Sequence, residues 1–298
     1  MGKTGRIVRG VGGFYDVLSG EEVFTGKARG ILKRGKSTLL VGDVVEFDFT
    51  DNGECSITAL KERKNFLERP PVSNIDMLIA AFAAADPEPN LLTVDKICAH
   101  AAMRGMDVAV CITKPDLVTE EKLAEYVKIY GQVYETVTVN GLTGAGIDDV
   151  RRMISGKSVA IAGPSGIGKS TLVNRLIKTD RMKVGGLSDR TGRGKHTTRH
   201  VEIFRLDDGT ESKNGTSGTF VYDTPGFTSI DAPPPGLYDA AVAFPEINEI
   251  AAGCKYSDCR HINEPFCAVK EAVADGRISD SRYGSYKMIL EEVTKWRR

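Results

Sequence analysis

The sequence predicts a multidomain chain: a small N-terminal β-barrel, a central α/β domain of the doubly wound parallel type, and a mainly helical C-terminal segment built around a metal. Three observations lead there. Residues 5–60 read as short strands of alternating polarity broken by glycines. From Ile75 the period lengthens, and apolar runs alternate with helical stretches, the pattern of parallel strands joined by crossover helices. Beyond the stiff stretch Ala232-Pro233-Pro234-Pro235-Gly236, three cysteines and a histidine crowd one short loop. The expected boundaries are therefore 1–70, 71–231 and 232–298.

The first part holds the segments GRIVRGVGGFYDVLS, EEVFTGKARGIL, LLVGDVVEFDF and ECSITAL. Four or five strands in so short a span predict a closed barrel, SH3-like or OB-like. Lys27, Arg29, Lys33, Arg34 and Lys36 make its central turn basic, and Phe14 and Tyr15 offer stacking faces. Such a groove suits single-stranded nucleic acid. A solvated charged hairpin with two core aromatics fits the same residues.

In the central part, the strands IDMLIAAFAA, MDVAVCIT, ETVTVN and SVAIAG alternate with the helices LLTVDKICAHAAMRG, EEKLAEYVKIYG and IDDVRRMI. In such sheets, ligands sit at the carboxyl ends of the strands. There the sequence places Gly163-Pro164-Ser165-Gly166-Ile167-Gly168-Lys169-Ser170-Thr171, which has the G-x-x-x-x-G-K-[ST] spacing between a strand and a helix. Glycines let backbone N–H groups turn toward phosphate oxygens, and the helix presents its positive end to them. Lys169 reaches the β- and γ-phosphates, and the Ser170 hydroxyl is placed for Mg²⁺. A nucleoside triphosphate is the expected ligand.

Thr113-Lys114-Pro115-Asp116, after another strand, resembles the guanine-reading Asn-Lys-x-Asp motif, with Thr113 where Asn is usual. The Asp116 carboxylate accepts from guanine N1 and N2 together, which adenine cannot match, while Lys114 lies along the base and braces the phosphate loop. Asn140-Gly141-Leu142-Thr143-Gly144-Ala145-Gly146 resembles the segment that backs guanine through main-chain N–H groups, so its side chains are expected to matter little. Asp223-Thr224-Pro225-Gly226 resembles the second switch, Asp-x-x-Gly, with Asp223 holding the Mg²⁺ shell and Gly226 meeting the γ-phosphate. Between them, GGLSDRTGRGKHTTRH reads as a basic loop in which Thr197 and Thr198 are candidate Mg²⁺ ligands of a first switch. Phe227 stands where a water-orienting Gln is usual, so intrinsic hydrolysis is expected to be slow. His196 is the candidate to position that water, alongside Lys169 and Thr198 as catalytic groups.

The base-reading segments precede the phosphate loop, the reverse of the ordinary GTPase order. Joining the old termini and cutting elsewhere produces the same sheet, because termini of compact domains lie near each other. The expectation is a circularly permuted domain whose second switch runs straight into the C-terminal segment.

That segment carries Cys254-x4-Cys259-x-His261-x5-Cys267. Three thiolates and an imidazole make a closed tetrahedral Zn²⁺ set with no open position, hence one structural ion. The helical stretches YDAAVAFPEINEIAAG and SYKMILEEVTKW flank it. Arg260, Lys270, Lys295, Arg297 and Arg298 add positive charge there.

Composition narrows the partners. The 298 residues carry 40 Lys and Arg against 40 Asp and Glu, so nucleic acid would have to meet local patches. No signal-peptide pattern opens the chain, and no apolar run approaches the roughly 18 residues a membrane span needs. A phosphate loop implies the cytosol, where disulfides are rare and Cys with His binds metal.

Together these features resemble the RsgA (YjeQ/YloQ) family, circularly permuted GTPases of bacterial small-subunit ribosome maturation. The resemblance spans nearly the whole chain and implies an OB-fold barrel, GTP and GDP as nucleotides with Mg²⁺, and one Zn²⁺. It further implies hydrolysis stimulated by the 30S subunit and contact with 16S rRNA near the decoding centre. A cytoplasmic monomer that binds neither DNA nor membrane is expected. Two other readings fit the residues: an RNA-binding protein that uses guanine nucleotide as a stability or occupancy signal, and a general NTPase of weak base selectivity.

Overall fold

The computed structural model describes residues 2–29, 38–50, 54–179, 201–207, 216–224, 226–230 and 239–295. In chain order its strands are β1 (Lys3–Val11), β2 (Phe14–Ser19), β3 (Glu22–Ala28), β4 (Val44–Phe49), β5 (Cys55–Leu60), β6 (Phe66–Leu67), β7 (Val72–Ser73), β8 (Met77–Ala83), β9 (Asp107–Thr113), β10 (Glu135–Val139), β11 (Ser158–Ala162), β12 (Glu202–Leu206) and β13 (Thr219–Asp223). The chain divides into two compact units. One comprises Met1–Met77, Gly141–Ile161 and Gly168–Phe227; the other comprises Leu78–Asn140, Ala162–Ile167 and Thr228–Arg298.

The first unit contains the barrel. Strands β1, β2 and β3 form an antiparallel meander, β3 pairs parallel with β5, and β5 pairs antiparallel with β4. The pairing of β4 with β1, from Lys3↔Phe47 to Arg6↔Val44, closes the five-stranded ring and removes its free edges. A register shift between Ile7 and Arg9 bends β1. Along β4, Val45 and Phe47 turn inward, as the period of two requires, and meet Ile7, Val17 and Ile57 in a fully buried core. Just ahead of β4, the buried Asp43 carboxylate accepts from Arg63 Nε at 2.7 Å and Nη2 at 2.8 Å, and from the Ser73 hydroxyl at 2.6 Å. A buried charge that is paired and fully hydrogen-bonded avoids the desolvation penalty a lone one would carry.

In the same unit, β11 runs parallel to β13, and β12 returns antiparallel to β13. The unbroken burial of β11 reflects cover on both faces. Arg6 of β1 anchors this layer. Its guanidinium donates to Ser158 Oγ at 2.7 Å and to the Thr216 carbonyl at 2.9 Å, and lies over the Phe220 ring.

The second unit carries the strand order β10-β9-β8, with β9 and β10 parallel from Glu135↔Ala109 to Val139↔Thr113. Every residue of β8 is buried, as expected of a strand covered on both faces. The helix Leu91–Ala102 starts at Asn90, whose side chain accepts from Thr93 N, and Thr119 caps Glu120–Gly131 in the same way. The C-terminal helices Pro245–Ala251, Ala268–Ala274 and Asp280–Lys295 bury Phe244, Ile247, Val269, Ile278, Tyr286 and Ile289 together with Ala99 of helix Leu91–Ala102. An ion cluster crosses that core. Arg282, 1 % exposed, donates to Asp95 at 2.7 Å and to Glu246 at 2.8 and 2.9 Å. Among the described residues no helix is long and apolar enough to cross a membrane. The barrel, the α/β layers and the helical C-terminal part are thus all present, while the proline stretch 232–236 lies outside the described residues.

Candidate nucleotide and metal sites

Strand β11 ends at Ala162, and the helix Lys169–Thr179 begins after six residues of loop, so the expected strand, turn and helix are in place. Gly163 could carry no side chain: a Cβ there would stand 2.0 Å from the Ala81 carbonyl oxygen. Gly166 and Gly168 take φ values of 82° and 97°, where glycine alone is unstrained. Thr113, at the end of β9, is buried and donates its hydroxyl proton to the Ile167 carbonyl at 2.6 Å. Thr113 is therefore a brace for the glycine-rich loop at Ile167 within the second unit.

Lys114 sits in the left-handed region at φ 52°, and its ammonium donates to the Asp86 carbonyl. Asp116 lies on the exposed single turn Pro115–Leu117. Its Oδ1 accepts from Asn140 Nδ2 at 2.8 Å. Sequence reasoning gave Asn140 a main-chain role and missed this side-chain bond; an amide beside Gly141 was the available signal.

In the first unit, the Lys169 side chain is half-buried, and desolvation lowers its pKa from the usual lysine value. Ser170 and Thr171 are exposed at the helix start. From the next turn of that helix, Arg175 donates to the Gly141 carbonyl at 3.1 Å and also to the Leu142 carbonyl, fastening the loop after Asn140. No spacing rule pointed to Arg175. Asp223 ends β13, and Gly226 has φ 76°. Phe227 is 2 % exposed, so its ring is committed to packing. His196, Thr197, Thr198 and Pro225 lie outside the described residues, as do Lys33, Arg34 and Lys36. Phe14 is 46 % exposed with the Lys27 ammonium 4.3 Å from its ring centre, which makes it a surface aromatic rather than a core one.

The six cysteines sort into two groups of three. Cys55, Cys98 and Cys111 are buried thiols, and desolvation pushes Cys55 up to about 11 and Cys111 to about 12. Cys254, Cys259, His261 and Cys267 instead converge, with their ligand atoms all within 4.8 Å of one another. His261 Nδ1 is 3.5 Å from both Cys254 Sγ and Cys267 Sγ, and those sulfurs are 3.9 Å apart. A tetrahedron with metal–sulfur bonds of about 2.3 Å has edges of about 3.8 Å, so the spacing fits one tetrahedral ion. The helix Asp280–Lys295 holds the loop from behind: Tyr283 Oη donates to the His261 carbonyl at 2.6 Å and Tyr286 Oη to the Arg260 carbonyl at 2.9 Å. Backbone N–H groups, its own and those of Arg260, Ile262 and Asn263, hold the Glu264 carboxyl down to about 2 and tie off the turn.

The RsgA GTPase family model matches residues 60–233, and the RsgA N-terminal domain matches residues 4–57. The chain belongs to the RsgA GTPase family. A small ribosomal subunit biogenesis GTPase RsgA of Alkaliphilus metalliredigens is 39 % identical over 99 % of this chain and 99 % of that one. Its namesake in Agathobacter rectalis is 37 % identical over 97 % and 98 %. Among solved structures, YjeQ from Thermotoga maritima superposes with a TM-score of 0.80 at 30 % identity, covering 99 % of both chains. YloQ, described as a circularly permuted GTPase, gives 0.78 at 29 % identity over 99 % of this chain and 96 % of that one. That description matches the order in this chain, with Thr113–Asp116 ahead of Gly163–Ser170. Membership implies guanine nucleotide with Mg²⁺; the ion suited to the Cys/His cluster is a separate question.

Proposed function

We propose that this chain is a GTP hydrolase acting in late maturation of the small (30S) ribosomal subunit, binding 16S rRNA and turned on by the subunit. The carrying observation is end-to-end similarity to relatives named for small-subunit biogenesis, with two RsgA family models matching successive stretches of this chain. In this reading residues 1–70 are an RNA-binding barrel, 71–231 the GTPase domain and 232–298 the zinc-binding domain. Lys114, Asp116, Asn140 and Gly141 serve the base, Thr113 braces the loop beside it, and Gly163 to Thr171 serve the phosphates. Ser170, Asp223 and Thr197 or Thr198 would hold Mg²⁺, which when bound neutralises charge on the β- and γ-phosphates. Lys169 stabilises charge that grows on the phosphoryl oxygens, and its partial desolvation strengthens that interaction. His196, or an arrangement induced by rRNA, orients the water that Phe227 cannot. Cys254, Cys259, His261 and Cys267 suit one Zn²⁺, since three thiolates favour a soft ion and four ligands close its shell. The protein works as a cytoplasmic monomer, with no DNA or membrane partner.

The test is GTP turnover by the full chain with 30S subunits, with 50S subunits, and with neither. Stimulation by 30S alone supports the proposal, and turnover indifferent to 30S overturns it. Lys169→Ala is expected to abolish turnover in every arm. The burial of Phe227 favours one second reading, a nucleotide-gated RNA binder with little turnover. For that protein, 30S binding would depend on nucleotide while hydrolysis stayed at its basal rate.

A further inference from the structure

We infer that Asn140 is a positioning residue for guanine recognition, orienting the Asp116 carboxylate that reads the base; this rests on the assignment of Asp116 as the guanine reader. The two side chains come from the ends of adjacent parallel strands, β9 and β10, and meet at 2.8 Å. A carboxylate only accepts, so the amide must present its NH₂ group to Oδ1. Nothing else would make that encounter favourable.

The chemistry explains why such a partner is useful. Asp116 is exposed on a single turn, and the terminal torsion of an aspartate is broad and nearly two-fold. Reading guanine N1–H and N2–H together demands one plane for the carboxylate. Fixing that plane before the base arrives removes an ordering cost from binding. Oδ1 keeps lone-pair capacity for guanine after accepting from Asn140, because an ionised carboxylate offers about four acceptor sites. In the free protein water competes with the bond. Once a base covers the site, the bond is desolvated and strengthens.

The same geometry accounts for Thr113. The first position of the base-reading motif here carries a hydroxyl, and that hydroxyl is spent on the Ile167 carbonyl, 2.6 Å away in the phosphate loop. An amide is supplied instead from the neighbouring strand end, by Asn140. The two tasks, bracing the loop and aiming the aspartate, are divided between two residues.

The experiment compares GTP with ITP, which keeps N1–H but lacks the 2-amino group, in wild type, Asn140→Ala, Asn140→Ser and Asp116→Ala. Asn140→Ala should raise the KM for GTP about tenfold, the lower range for a hydrogen bond to a charged acceptor, with kcat little changed. It should raise the KM for ITP much less, so the preference for GTP shrinks. Asn140→Ser, whose hydroxyl can still donate, should recover part of that preference. Equal increases for both nucleotides, or none, would show a merely structural Asn140 and overturn the inference. If Asp116→Ala leaves the GTP preference intact, the assignment of Asp116 itself fails. A preference lost in Asp116→Ala yet kept in Asn140→Ala rejects the inference alone. Thermal unfolding of each variant separates misfolding from a lost preference.

Discussion

Replacing Arg282 with Met tests the core that joins helix Leu91–Ala102 to the C-terminal helices. The guanidinium is 1 % exposed and meets Asp95, itself fully buried, at 2.7 Å and Glu246 at 2.8 Å. It also stacks over Tyr134 and Phe244, with centroid distances of 5.2 and 4.8 Å. Methionine fills part of the volume but strands the fully buried Asp95 carboxylate and leaves the part-buried Glu246 carboxylate without its partner. Breaking a buried ion cluster on one side costs about 3–5 kcal/mol, most of it from the uncompensated charge. At roughly 2–4 °C per kcal/mol, the melting midpoint should fall by about 10 °C. The assay is thermal unfolding followed by circular dichroism, with Arg282→Met compared against the triple variant Arg282→Met, Asp95→Asn, Glu246→Gln. The triple variant should regain most of the loss, because neutral replacements remove the stranded charges. Arg282→Lys should recover little, since one ammonium cannot serve two carboxylates and two rings in the guanidinium's planar geometry. A single variant melting within about 2 °C of wild type would refute the argument.

Further expectations concern the pH response and the metal. Burial holds the His100 imidazole below its usual pKa, while its Nδ1–H donates to the Ile230 carbonyl at 3.0 Å. The unfolded chain then binds a proton as pH falls through about 6.5, before the folded one does, so stability falls below that pH and is level above about 7. Urea midpoints between pH 7.5 and 5.5 should therefore drop more in wild type than in His100→Gln, and equal slopes would reject the assignment. On the proposed reading of one Zn²⁺ per chain, Cys259→Ser should lower the zinc content toward none, read by elemental analysis of purified protein, and lower the melting midpoint because a structural ion contributes folding free energy directly. Unchanged zinc content in that variant would sink the four-ligand site.

Much of the local geometry was legible because its parts are close in sequence. The loop from Gly163 to Ser170 and the ligands from Cys254 to Cys267 each lie within one short segment, where spacing and backbone geometry determine which groups converge. The alternation along β4 and the continuous apolar runs of β8 and β11 likewise report burial on one face or two. Motif order alone, base reader before phosphate loop, announced the permutation.

The remainder was settled by pairings between distant parts of the chain. Nothing near Arg282 in sequence separates it from a solvated helix arginine; its burial follows from Asp95 lying 187 residues away. The same holds for Arg6 beside Ser158, and for the parallel pairing of β3 with β5 that helps close the barrel. Thr113 stands where the base-reading motif usually has Asn, yet its hydroxyl is bound to Ile167 across 54 residues. Asn140 read as a main-chain site, yet its amide meets Asp116. Local sequence determines what a segment can do by itself, through backbone geometry and periodicity. Which carbonyl or carboxylate a buried polar group meets depends on strand order and register, and those belong to the tertiary fold.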